Sequence, residues 1–392
     1  MRKTLIISLI CLATLPVHAN GVIVGADQIA AYLPVIKGKK IGIVANQSSM
    51  VKDIHLVDFL VAINTRIDCI FAVEHGFRGT ADAGEHISSY TDKTTGIPVR
   101  SLYDGGIGKP SPEVMAELDV VIFDLQDVGL RYYTYLTNLA KLMEACADSE
   151  TLLLILDRPN PNGHYVDGPI LDMKYKSGVG YLPIPIVHGM TLGEMALMIN
   201  GEKWLPDGKQ CNLRIITCRN YTHQTLYTLP IPPSPNLPNM RSIYLYPSLC
   251  FFEATPVSLG RGTTTPFQVY GHPNMIGYNF SFIPQSTSGA RKPPQMGLRC
   301  YGRNLTTQPT NEEVFKRGVD LQYLIDAYNN LHIGNHFFNP FFEKLIGVDY
   351  VRKMILNGSS ADEIKAMWQD DVEKFKKQRA PYLLYKDDAL QQ

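Results

Sequence analysis

Glu74, His75 and Arg78 sit in the segment Glu74-His75-Gly76-Phe77-Arg78-Gly79, directly behind the apolar run Cys69-Ile70-Phe71-Ala72-Val73. An acid, a base candidate and a cation at the end of a buried strand suit proton transfer on a bound ligand. In open α/β sheets the ligand lies outside the carboxyl ends of the strands. With Phe71 and Phe77 nearby, the Glu74 carboxyl can be desolvated enough to hold a proton near neutral pH, as a general acid must. An ionised Glu74 that caps a helix or pairs with a cation is an equal reading of the same residues. His75 suits orienting a substrate. With Asp82, Glu85 and His86 it also outlines a mononuclear metal site, although none of the zinc spacings is present and a hydrogen-bonded structural histidine is the ordinary alternative.

A second acid can come from three places. Asp124 and Asp127 close the run Asp124-Leu125-Gln126-Asp127, where Asp127 would project beyond the strand and Asp124 would meet backbone donors. Glu253 follows Cys250-Phe251-Phe252. Arg78, Arg131, Arg158 and Arg261 are candidates for a carboxylate on the substrate, because a guanidinium matches it in two-point geometry. Each could equally be an ordinary ion pair. Arg131 is surrounded by Tyr132, Tyr133 and Tyr135, rings that suit a sugar face but are more often core. Asn160, Asn162 and Asn236 lie in proline-bracketed loops, which present amides rigidly or simply turn the chain.

These groups need a scaffold, and the first half of the chain supplies one. Near-continuous β-branched and aliphatic runs predict strands at 40–44, 69–73, 120–125, 152–156, 184–187 and 213–218, with helices at 53–64, 112–118, 133–147 and 191–200. Such runs mean strands buried on both faces, hence a mostly parallel α/β sheet with helix crossovers on both faces. Thr191 with Glu194 is a capping box that starts a helix after Gly189. Strand after strand ends in polar groups: Asn46-Gln47, Glu74-His75, Asp124 to Asp127, Asp157-Arg158 and His188. On one edge of a parallel sheet they describe a pocket floor. The proline-rich stretch 229–238 predicts a boundary between a domain at 20–235 and a smaller second α/β (α+β) domain at 236–392. In that second part, capping pairs Thr310/Glu313 and Ser360/Glu363 start two helices. The latter would put Ile364, Met367, Trp368, Val372 and Phe375 on one face.

Composition removes several classes. Arg2 and Lys3, the apolar stretch Leu5 to Leu12 and Val17-His18-Ala19 read as residues 1–19 of a secretory signal cleaved before Asn20, too short to span a membrane. The expectation is an exported, periplasmic or secreted protein with no membrane span. Without Arg2 and Lys3, 35 of the 37 basic residues face 37 acidic ones, and no basic block stands out, which argues against nucleic acid. The six cysteines left after cleavage have no metal or redox spacing, so buried free thiols are expected. There is no Gly-x-Ser-x-Gly elbow and no phosphate loop, and Gly105-Gly106-Ile107-Gly108 does not close a strand-to-helix turn; no cofactor is expected.

The ordered motifs point to a family. Gly42-Ile43-Val44-Ala45-Asn46-Gln47, Glu74 to Gly79 with Ala83-Gly84-Glu85, and Thr95-Gly96-Ile97-Pro98-Val99 come first. Asp124 to Tyr135, Leu156-Asp157-Arg158-Pro159-Asn160-Pro161 and His188 to Glu194 follow. Pro233-Ser234-Pro235-Asn236-Leu237-Pro238 and Gly260-Arg261-Gly262-Thr263-Thr264 close the series. The chain resembles the NamZ-type exo-β-N-acetylmuramidases, glycoside hydrolases long filed as a domain of unknown function, DUF1343. The resemblance implies a Rossmann-like domain, a second α/β domain and an active site in the cleft between them. It implies removal of terminal N-acetylmuramic acid from peptidoglycan-derived disaccharides and muropeptides, in cell-wall turnover. Many members have Ser-Glu-Gly-Arg-Gly where this chain has Ser258-Leu259-Gly260-Arg261-Gly262, so that loop acid is Leu259 here.

The expectation is therefore that Glu74 is the general acid and Asp127, or failing that Glu253, the second carboxylate. His75, Arg78, Glu85, Gln126, Arg131, Tyr133, Asn160, His188, Asn236, Arg261 and Thr263 would hold the sugar, with no metal. Two other readings stay open: a metal-dependent envelope amidase or esterase using His75, Asp82, Glu85 and His86, and a non-catalytic muropeptide-binding protein.

Overall fold

The structure, a computed structural model, describes residues 21–74, 76–79, 88–103 and 107–387. The signal segment, His75, and Asp82, Glu85 and His86 lie outside the described residues.

Aliphatic runs with no polar face form the central sheet: Ile41–Ala45 (β1), Cys69–Ala72 (β2), Tyr90–Thr91 (β3), Pro98–Ser101 (β4), Val120–Asp124 (β5), Leu152–Leu156 (β6) and Leu213–Ile216 (β7). Their order is β3-β4-β2-β1-β5-β6-β7. Every pairing is parallel except β3 with β4. The chain winds outward from β1 to the β3 edge and returns to β5, so the order switches direction between β2 and β5, the place where such sheets bind ligands. Side chains of β1 alternate between two apolar clusters: Ile41 and Ile43 pack with Tyr32, Leu56 and Leu60, and Val44 packs with Phe71 and Phe123.

The run 184–187 is not a strand. Val187 makes only isolated bridges to Leu130 and Asp167, and β7 pairs directly with β6. Pro183 and Pro185 explain the difference, because alternate residues lack the N–H a ladder needs. The capping box is formed as expected: Thr191 Oγ1 accepts from Glu194 N at the start of Leu192–Gly201, and Glu194 accepts from Thr191 N at 2.8 Å. Thr191 also donates to Asp157 Oδ2 at 2.7 Å, tying the helix to the end of β6. Thr191→Ala should cost about 1–2 kcal/mol of stability, visible as a lower urea midpoint; an unchanged midpoint would show that the cap is dispensable.

The second part holds an antiparallel sheet of Val269–His272 (β8), Phe280–Phe282 (β9) and Cys300–Asn304 (β10), in the order β8-β10-β9, with helices around it. The helix predicted from Ser360 is two, Ala361–Ala366 and Gln369–Arg379, separated at Met367 and Trp368. Trp368 is buried while Met367 points outward, 55% exposed, so Met367 leaves the face assigned to it. One apolar cluster runs from Phe71 and Phe123 of the large sheet through Phe251 and Tyr270 to Trp368 and Phe375. Both parts therefore share a core, and a cleft between them has fixed walls. All six cysteines after residue 20 are buried free thiols.

Candidate active site

A cavity of about 680 Å³ opens over the carboxyl ends of β2 and β5. Glu74 reaches it from the end of β2, and Tyr132 to Tyr135 enter at the start of the helix Thr134–Ser149. The second part contributes Glu253, Arg261, Arg291 and Lys292. Apolar and aromatic walls with a few ionisable groups are the usual make-up of a small-molecule site.

Two hydroxyls hold Glu74. Thr134 Oγ1 donates to its Oε2 at 2.7 Å. The Tyr103 phenol donates to it as well; burial, and then the Glu74 charge, push Tyr103 up to about 12. The carboxyl is thus oriented at the cavity wall. Glu253 accepts from Arg261 Nη2, and the Arg261 guanidinium lies over the Phe267 ring at 5.1 Å. Glu74 and Glu253 are the two carboxylates that line this cavity among the described residues. Leu259 lines it too, so the family's acidic position is an apolar patch of wall here.

The structure does not place Asp127 in the cleft. Asp127 borders a separate cavity of about 10 Å³, room for no more than one water. Its Oδ2 accepts from Gly129 N at 2.6 Å, and its Oδ1 has no hydrogen-bond partner among the described residues. Burial pushes this carboxyl up to about 7, against the pull of the Gly129 and Val128 N–H groups. Asp127 therefore stands behind the tyrosine wall.

The predicted sugar-holding residues divide in the same way. Tyr133, Asn236 and Arg261 line the cavity. Tyr133 donates its hydroxyl to Pro233 O at 3.0 Å, and Asn236 Nδ2 donates to Gly289 O at 2.7 Å. Arg78 faces Asp58 and Asp92 instead, at 3.1 Å from each. Arg131 is buried and donates to four backbone carbonyls: Pro169, Ile184, Leu345 and Ile346. Gln126 donates to Asp127 O and Pro159 O, and Asn160 Nδ2 donates to Met190 O. His188 is fully buried, accepts at Nδ1 from Met190 N, and is held neutral by burial and Arg379, which lower it to about 3. Thr263 donates to Gly260 O within its own turn. His75 and Glu85 lie outside the described residues.

The pocket floor of strand ends is mostly self-satisfied. Asn46 Nδ2 donates to Tyr135 at 2.7 Å, Arg158 forks onto buried Asp124, and Asp157 accepts from Thr191, Gly193 and Tyr385. Of these strand ends, Glu74 is the one that faces the cavity. Tyr103, Thr134, Arg291 and Lys292 were missed. Thr134 had a signal, its place in the Arg131-Tyr132-Tyr133-Thr134-Tyr135 motif. Tyr103 follows a short edge strand with no clear pattern, and Arg291 and Lys292 precede Pro293 in a stretch without periodicity. Among the described residues no group of three or more His, Cys, Asp or Glu side chains is arranged to hold a metal.

Family models for the N-terminal and C-terminal parts of exo-beta-N-acetylmuramidase NamZ match residues 41–241 and 244–385. The chain is similar to the peptidoglycan beta-N-acetylmuramidase NamZ of Bacillus subtilis (strain 168), with 34% identity over 90% of this chain and 89% of that protein. A crystal structure of a DUF1343 family protein from Bacteroides fragilis NCTC 9343 superposes with a TM-score of 0.87 at 60% identity, covering 93% of this chain and 99% of that one. A second DUF1343 family protein from the same strain gives 0.77 at 26% identity over the same shares.

Proposed function

Since the chain belongs to the exo-β-N-acetylmuramidase NamZ family, we propose that it hydrolyses the bond joining a terminal N-acetylmuramic acid to the rest of a peptidoglycan fragment. One observation carries the assignment of roles: Glu74 and Glu253 line a single cavity, one held by hydroxyls and the other by a guanidinium. Glycoside hydrolysis asks for two carboxyl groups in different environments beside one bond. Glu74 donates the proton to the leaving glycosidic oxygen. Glu253, in its pair with Arg261, stabilises the oxocarbenium-like centre or activates the attacking water. Tyr133 offers an aromatic wall to the sugar ring, and Asn236 fixes the loop across the cleft. Residues 1–19 act as an export signal, which brings the enzyme to the compartment where wall fragments arise; N-terminal sequencing of the exported protein should begin at Asn20.

A chromogenic β-glycoside of N-acetylmuramic acid tests the reading. Multiple turnover that survives exhaustive chelation is the expected result. Stoichiometric binding without release of the chromophore would favour a muropeptide-binding protein. Activity lost on chelation and restored by a divalent ion would favour the metal-dependent amidase or esterase.

A further inference from the structure

Lys292 sits on the lip of the cavity and is exposed. We propose that it reads the free carboxylate on the lactyl group of the muramic acid, so that the cleft prefers a sugar whose lactyl group carries no peptide. The inference rests on the proposed function and refines its substrate.

The other candidate cations are engaged elsewhere. Arg78 pairs with Asp58 and Asp92, Arg158 with Asp124, and Arg261 with Glu253, while Arg131 is buried against backbone carbonyls. Among the described residues Lys292 makes no ion pair, and Arg291 beside it adds to the positive field at the lip. A substrate carboxylate entering this cavity meets Glu74 and Glu253, both of its own sign, so the approach needs a compensating cation.

The segment that carries Lys292 is rigid. Thr287 and Ala290 exchange backbone hydrogen bonds at 3.1 and 3.2 Å, and Gln285 N donates to Gly262 O at 2.9 Å. Asn236, from the other side of the cleft, donates to Gly289 O. A Cβ on Gly289 would come 2.7 Å from Pro235 Cβ, so a bare glycine is what allows this close approach. Pro293 and Pro294 fix the chain immediately after the lysine. A cation on a loop already held in place spends little ordering entropy on binding.

The test compares two glycosides, one with the free lactyl carboxylate and one with the same group as its amide, on the wild-type protein, Lys292→Met and Lys292→Arg. The wild type should prefer the free acid by roughly 10–100-fold in kcat/KM, as a charge-assisted contact implies. Lys292→Met should lose that preference through a higher KM for the acid, with the amide hydrolysed as before; Lys292→Arg should restore most of it. The preference should also shrink as salt rises, because the lysine is exposed. A wild type indifferent to the carboxylate, or a methionine variant that keeps the preference, overturns the proposal. Should neither glycoside turn over, the enzymatic reading fails, and calorimetric binding of N-acetylmuramic acid against its lactyl amide to the same proteins still decides the role of Lys292.

Discussion

Glu74→Gln should lower turnover on a muramic acid glycoside by about 10²–10⁴-fold, with the thermal midpoint left close to that of the wild type. The amide keeps the size of the carboxyl and one oxygen that can accept from Thr134 Oγ1 and Tyr103. What it loses is the proton that the leaving oxygen must take. The effect belongs in kcat, because the proton is transferred only as the bond breaks. Substrates with a very acidic leaving group, which needs no proton, should lose less than those with a sugar leaving group. Glu253→Gln should differ: it leaves proton donation intact and removes a charge from beside the reacting carbon, so good and poor leaving groups should suffer alike. A Glu74→Gln protein that turns over near the wild-type rate would remove Glu74 from the role of acid.

Leaving-group dependence also separates what was legible in the sequence from what was not. The parallel sheet was legible because Ile41, Ile43, Ile70, Ile122 and Leu154 leave no polar face, and only strands covered on both sides tolerate that. The same rule misled at Ile184 and Ile186, where an equally apolar run is interrupted by prolines and serves as a bridge segment. Glu74 was legible as a strand-end acid. That Asp124 would be taken by Arg158, and Asp157 by the cap of the following helix, was not, since those pairings depend on which strands become neighbours. Asp127 shows the limit most clearly. Its place one step past β5 fits a cleft acid, yet the chain turns at Gly129 with a positive φ and folds the carboxyl back onto the Gly129 N–H. The residues on the far wall, Glu253 to Arg261 and Ala290 to Lys292, are brought to Glu74 by tertiary packing alone. No local period in the sequence announces it.

Arg131 gives the sharpest contrast between a residue that looks like a ligand binder and one that holds the fold. Its side chain is 1% exposed. Nη1 donates to Pro169 O and Ile184 O at 2.7 and 3.0 Å, and Nη2 donates to Leu345 O and Ile346 O at 2.9 and 2.8 Å. The first pair belongs to the loop after β6, and the second to the C-terminal end of the helix Phe341–Ile346, where a cation also meets the negative end of the helix dipole. Burial lowers the guanidinium to about 9, and carbonyl oxygens take the place of water around it. Arg131 therefore pins the second part of the chain to the loop beside the large sheet. Arg131→Met would leave those four carbonyls buried without their donor and should cost about 3–5 kcal/mol. Arg131→Lys should recover little of it, because one ammonium cannot follow the planar fork to both segments. Chemical denaturation of the two variants reads the loss. The decisive companion measurement is KM on the fraction that remains folded, which should match the wild type. A variant of full stability with a raised KM would return Arg131 to the substrate and detach it from the fold.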